Sequence, residues 1–283
     1  MTSSASDQAK EAIGQRFRSL REARGLTGRG LAAAAGWHPT KISKIERGRM
    51  TPSAEDVRIW LDRCGASGQE EEFQAAVAGV REMYIPWHHL EYAGLRSPQA
   101  KVMPVWDSAH QFRGYTHSII PGPLQTGEYT RAVLSSIRDR RGLVDDVELA
   151  LETRLRKHEL LADPSRKFEV VLEECVLGRM VGSPEVAVKQ LTRLIELNYL
   201  PHVDIRIIPH CAEAASRSGG WPVEDFWIFD RAHVAVELVG AYMTFTADAD
   251  VRNYEKAFSD LFGQAVGGAR ARRMIVKALE GAT

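Results

Sequence analysis

Lys41, Lys44 and Arg49 fall within the run Lys-Ile-Ser-Lys-Ile-Glu-Arg-Gly-Arg at 41–49, and Arg29 stands a short segment upstream. Ammonium and guanidinium groups at that density suit phosphate neutralisation, and a lysine held in a groove can donate to guanine O6 and N7. That chemistry is recognition rather than turnover. The positioning is local: Ile42 and Ile45 point one way, leaving Thr40, Lys41 and Lys44 for solvent or a ligand. Gly36 supplies a tight turn, and Pro39 fits a first helical position with His38 as an imperfect cap. Two short helices with an apolar inner side and a basic outer side have the geometry that sets a helix into a major groove.

Other candidates for chemistry are weaker. His88-His89, His110 with His117, and His210-Cys211 lack the two-pair spacing of a structural zinc site, and no HExxH occurs. Glu173-Glu174 and Glu237 suit either an acid/base pair or the satisfaction of buried backbone and Arg154. No GxSxG elbow is found, and no GxGxxG follows a strand. The aromatics, Trp221 and Trp227 among them, fit a ligand pocket, a partner surface or a core. Trp221, Trp227 and Glu237 are therefore the candidate ligand or partner surface of the second half. The expectation is a non-enzyme with no cofactor and no metal.

The 283 residues carry 37 basic and 37 acidic side chains, a formal net charge of zero. The balance is uneven: residues 1–65 hold 12 Lys/Arg against 7 Asp/Glu, and the remainder 25 against 30. A basic head on a mildly acidic body fits a nucleic-acid module attached to something else. Cys64, Cys175 and Cys211 are far apart without a CxxC, which argues for a reducing compartment. With a polar start and no apolar span, the expected location is the cytoplasm, with no membrane partner.

The elements that must position these residues read as follows. Head helices are expected at 9–23, 28–35, 39–46, from Ser53 onward, and at 70–83. Ile13, Phe17 and Leu20 form the inner stripe of the first. Residues 84–104 read as a connector with a short helix. In 105–283, helices are expected at 105–112, after Thr126, at 144–162, 183–199, 248–262 and 264–279. Strands are expected at 168–172, 203–208, 226–229, 234–239 and 242–245, with a short extended piece at 115–120. The domain boundaries are thus 1–83, 84–104 and 105–283. The fold class is mainly α, a five-helix head followed by an α+β domain with a small antiparallel sheet.

Residues 13–62, above all the run at 41–53, resemble the Xre/Cro-type helix-turn-helix repressors. The resemblance implies that Arg21 pairs with Glu46 to lock the third helix. It implies Pro39, Thr40 and Lys44 at base edges and Lys41 and Arg49 nearer the DNA backbone; His38 itself reads as a cap or a phosphate neighbour. Where the family has a glutamine that donates a hydrogen bond to a DNA phosphate this chain has Gly28, so that contact is absent or passes to Arg29. The second half, through residues 120–129, 154–161, 172–177 and 236–238, resembles the C-terminal domain of unknown function fused to such heads in actinobacterial regulators. The two resemblances imply a homodimeric repressor of double-stranded DNA whose body receives a signal from a small partner protein or a small-molecule effector. An antitoxin-like protein that captures a small partner and autoregulates its operon is the alternative, with a ligand-binding or enzymatic body third.

Overall fold

The structure, a computed structural model, describes residues 5–210 and 223–282. It divides into two compact units, Met1–Ile85 and Pro86–Thr283. Among the described residues, no helix is long and apolar enough to cross a membrane.

The first unit consists of α1 (Ala5–Ala23), α2 (Gly28–Ala35), α3 (Pro39–Glu46), α4 (Ala54–Cys64) and α5 (Glu70–Met83). Phe17, Leu31, Ile42, Ile45, Val57, Trp60, Leu61 and Phe73 form its core. Trp60 is fully buried and its indole N–H donates to Phe17 O at 3.1 Å, so the core keeps no orphan donor there. The ends of α4 follow local rules. Ser53 and Asp56 form a reciprocal capping box, and Gly65 closes the helix in the left-handed region at φ 70°.

The second unit is an α+β body. A three-residue strand, β1 (Tyr84–Pro86), spans the division between the units, followed by α6 (Trp87–Leu90) and α7 (Arg96–Ser108). Then come β2 (Gln111–Thr116), α8 (Gly127–Arg141), α9 (Val147–Ala162), β3 (Lys167–Glu173), α10 (Pro184–Leu197) and β4 (Val203–Ile208). The chain ends with β5 (Phe226–Phe229), β6 (His233–Glu237), β7 (Ala241–Phe245), α11 (Asp248–Gln264) and α12 (Gly268–Glu280). Within this unit the strand order is β7-β6-β5-β2-β3-β4.

The sheet is mixed, which corrects the expected small antiparallel one. The β2–β3 and β3–β4 pairs are parallel, with Phe112 opposite Phe168 and Phe168 opposite Val203, whereas β2–β5, β5–β6 and β6–β7 are antiparallel. The cause is the connections: α8 and α9 separate β2 from β3, and α10 separates β3 from β4. Helical crossovers of that length return the chain in the same direction. One face of β3 and β4 (Phe168, Val170, Leu172, Val203, Ile205, Ile207) packs in a core with residues of α7 to α10 and α12. On the other face, Phe226 meets Tyr254 of α11 at 5.1 Å between ring centroids. Strand β3 is buried on both faces, Val170 and Leu172 on one and Val171 on the other, as parallel strands are.

Two further expectations give way. A helix at 105–112 is replaced by α7, which starts within the expected connector at Arg96 and ends at Ser108, and extended chain at 115–120 is replaced by β2, which begins at Gln111. Pro98 and Pro104 disguise α7 as a connector. Pro98 sits in the first turn, where its missing N–H costs nothing. Pro104 forfeits one interior bond, while Met103 and Trp106 bury the adjoining face. The start of α7 is capped from elsewhere: Asp146 accepts from Leu95 N at 2.8 Å and Arg96 N at 2.9 Å.

Candidate nucleic-acid interface

Helix α3 owes its placement to both of its ends. At its start, Gly36 caps α2 at φ 68°, and His38 Nδ1 accepts from Thr40 N at 3.3 Å with Pro39 in the first turn. At its end it lies directly on α1. A β-carbon on Gly14 would stand 2.6 Å from the carbonyl oxygens of both Ile45 and Glu46. One on Gly48, at φ +65°, would stand 2.7 Å from Glu11 N. Only glycine permits backbone to approach backbone this closely.

Arg21 and Glu46 meet beside that contact. Arg21 Nε donates to Glu46 Oε1 at 2.5 Å and Nη2 to Oε2 at 3.1 Å, while Nη1 donates to Leu26 O at 2.6 Å. The Arg21 side chain is 9 % exposed and that of Glu46 13 %. The hydrogen bond to Glu46 raises the Arg21 guanidinium pKa further above its already high ordinary value. The third nitrogen of Arg21 thus ties the pair to the α1–α2 turn.

His38, Pro39, Thr40 and Lys44 are exposed, as are Arg29 on α2 and Arg49 after α3. Lys41 is not available in the same way. Its Nζ pairs with Asp56 Oδ1 at 2.5 Å and lies 4.3 Å over the Trp37 ring. The hydrogen bonds from Lys41 and Ser53 lower the Asp56 pKa against its desolvation. Lys41 therefore braces α3 against α4 in this structure, a partnership between residues fifteen positions apart that composition does not disclose.

The other ion pairs of the head sort its cations into two groups. Arg16 pairs with Glu72, Arg18 with Glu22, Arg58 with Glu55 and Arg63 with Asp62. Among the described residues Arg24, Arg29, Lys44, Arg47 and Arg49 form no ion pair. Four of these five lie on α2, on α3 or in the turn after α3.

A cleft of about 630 Å³ opens between α1, α2 and α3, lined among others by Arg18, Gly28, Arg29, Pro39, Ser43 and Arg47. Ser43 and Arg47 were not singled out from sequence. Arg47 directly follows Glu46 at the C-cap of α3, and that adjacency was the available signal.

In the body, Trp221 lies outside the described residues, as does Cys211. Trp227 packs rather than projects: a β-carbon on Gly114 would be 2.9 Å from its ring, and its ring meets Trp106 at 5.0 Å between centroids. Glu237 is exposed and forms no ion pair with Arg154. Glu173 accepts from the Tyr115 hydroxyl at 3.1 Å, and Glu174 from His210 N at 2.6 Å, so these two carboxylates satisfy local donors. Burial and Glu173 together push the Tyr115 hydroxyl pKa far up. His117 Nδ1 lies 2.7 Å from Asp225, which also accepts from Thr116 and Ser118. The Asp225 carboxylate stands between serine and histidine, so no nucleophile–base pair forms. Among the described residues, no three His, Cys, Asp or Glu side chains group to hold a metal.

Comparison with known proteins places families on both units. Residues 12–73 match a family described as a helix-turn-helix domain, a fold that docks its second helix against DNA. Residues 100–277 match a domain of unknown function, DUF5753. No curated protein matches. Among solved structures, the chain is similar to TrmBL2, an archaeal chromatin protein whose structure shows a novel mode of DNA binding. That similarity has 11 % identity and a TM-score of 0.33, covering 86 % of this chain and 88 % of that one. With more than half its length matched, the chain belongs to the DUF5753 family, with a helix-turn-helix domain ahead of that domain.

Proposed function

We propose that this protein is a sequence-specific, DNA-binding transcription regulator of the Xre type, a homodimeric repressor whose body receives a signal from a small partner protein or ligand. The observation that carries the DNA reading is the clustering of unpaired head cations: of the five that form no ion pair among the described residues, all but Arg24 lie on α2, on α3 or in the turn after α3. Free, exposed cations are what a phosphate backbone recruits. In this reading Pro39, Thr40 and Lys44 address base edges. Arg29, Arg47 and Arg49 hold phosphates, a role that Lys41 cannot share without leaving Asp56. The start of α2 at Gly28 offers first-turn N–H groups beside the same cleft, a favourable place for a phosphate oxygen. Two-fold pairing of heads would read half-sites about one helical turn apart.

The test is selection of binding sites from randomised duplex DNA, followed by salt titration of the wild type, Lys44→Ala and Arg47→Ala. Lys44→Ala is expected to relax preference at one base position. Arg47→Ala is expected to weaken all duplexes alike and to flatten the salt slope by about 1. Enrichment of no sequence by the wild type would overturn the reading.

A further inference from the structure

Within the second unit, four nitrogen-bearing side chains gather without a carboxylate partner. Arg154, Lys157 and His158 stand at i, i+3 and i+4 on α9 and so share one face of that helix. Arg193 comes from α10. Both helices flank the turn Gly122–Leu124. A β-carbon on Gly122 would lie 3.1 Å from Arg154 Nε and 3.3 Å from its Nη2, and His158 faces the Gly122 backbone. One turn before Arg193, Gln190 donates to Leu124 O at 2.8 Å and accepts from Thr126 N at 2.7 Å, fixing α10 to the same turn.

The polar atoms there are unsatisfied. Arg154 Nε, His158 Nε2 and Arg193 Nε are buried and find no hydrogen-bond partner. Lys157 is 8 % exposed, and its Nζ lies 4.6 Å over the Trp106 ring. None of the four forms an ion pair among the described residues. Glu237 acts on Arg154 and Lys157, and Glu196 on Arg193, from beyond ion-pair range. Elsewhere the body compensates its half-buried cations: Arg113 pairs with Glu169 and Glu255, and Arg166 with Asp163 and three carbonyls. A buried charge left unpaired is strongly penalised, and unpaired buried donors are rare in folded proteins.

We propose that Arg154, Lys157, His158 and Arg193 form a binding site for a phosphate group, free or as a monoester, seated against the Gly122 turn. Four donors from two helices suit a tetrahedral oxyanion better than a carboxylate with two oxygens, and arginine is well matched to phosphate. Burial and the neighbouring arginines push the His158 pKa down to about 4, its ring already bonds the Gly122 backbone, and a bound dianion favours the protonated ring, whose Nε2–H then donates to it. Burial and Arg154 push the Lys157 pKa down to about 7, and a bound dianion would restore its charge. Arg154, His158 and Arg193 are partly exposed, which leaves an approach from solvent. The site stands independently of the DNA reading.

The test is calorimetry and thermal melting of the full chain with inorganic phosphate, glycerol phosphate and succinate, at ionic strength matched with chloride. Saturable binding of a phosphate compound is expected, tighter than succinate, with a rise in melting temperature. Arg193→Gln and Lys157→Met should each weaken it at least tenfold, while Lys189→Gln, an exposed cation paired with Glu128, should not. Lys157→Met should also melt higher than wild type without ligand, because it removes an unpaired buried charge and keeps the volume. Its loss of binding is then not misfolding. Tighter binding of the monoester than of inorganic phosphate would identify an esterified ligand, and the reverse a free one. Absence of saturable binding, equal binding by the variants, or preference for succinate would overturn the proposal.

Discussion

Replacing Glu46 by glutamine tests whether the Arg21 pair holds α3 in place. The amide keeps the shape of the carboxylate but removes its charge, and it can turn an NH₂ towards the guanidinium. Removing one partner of a buried ion pair costs about 3–5 kcal/mol, because a charge stays behind uncompensated. Here the loss is softened. Arg21 Nη1 retains Leu26 O at 2.6 Å, and Nη2 retains Glu22 at 3.4 Å. We expect about 2–3 kcal/mol, equivalent to a roughly 30- to 150-fold fall in protection. The assay is native-state hydrogen exchange on the intact chain, read at the core amides of α3 and α4. The double variant Arg21→Met/Glu46→Leu should recover to within about 1 kcal/mol of wild type, since well-packed apolar pairs often replace buried ion pairs without loss. A fall in protection below about fivefold for Glu46→Gln, equivalent to roughly 1 kcal/mol, would refute the role of the pair as a brace. So would a double variant no better than the single one.

Three further outcomes are expected. The lowered pKa values of His158 and Lys157 mean that the unfolded chain binds the extra proton between about 4 and 6.5 for the first and between about 7 and 10.5 for the second. Stability of the body should therefore rise with pH through both windows, at up to about 1.4 kcal/mol per pH unit for Lys157. Denaturant midpoints of Lys157→Met should be flat across the upper window. Gly114→Ala would set a methyl group 2.9 Å from the Trp227 ring. Overpacking of this kind costs about 1–3 kcal/mol, so a lower melting temperature and an altered near-ultraviolet tryptophan signal should follow together. Asp146→Ala removes the acceptor for Leu95 N and Arg96 N. By analogy with a lost N-cap it should cost about 1–2 kcal/mol in chemical denaturation, with exchange accelerated at the start of α7.

The head was legible because its determinants are local. Gly36, Pro39, the Ile42–Ile45 face and Ser53 with Asp56 each act within a few residues, and the helices they imply are present. Lys41 shows where local reading ends. Its helix position was plain, but its partner Asp56 is on the next helix, and only folding reveals that the charge is spent. The body was legible as alternating elements but not as a sheet. Nothing within the strand at 168–172 states that its neighbours run parallel, because direction is set by the long helical crossovers on either side. Proline obscured α7, since its breaker character was visible and the packing of Met103 and Trp106 was not. The spacing of Arg154, Lys157 and His158 was in plain view as a charged run on an amphipathic helix. What set these residues apart was burial, which spacing does not report.

The contact at Gly14 and Gly48 has a mechanical consequence. Where main chain rests on main chain there is no side chain to rotate aside, so the joint between α1 and α3 has almost no compliance. Side-chain contacts can slide by a rotamer change, but this one yields only if a helix moves bodily. Any stimulus that changes what α3 touches must then carry the whole first unit as one rigid lever, because tilting α3 alone would open the joint and expose the Arg21–Glu46 pair. Regulation of such a protein would be a matter of where the lever is placed, not of how its tip is bent.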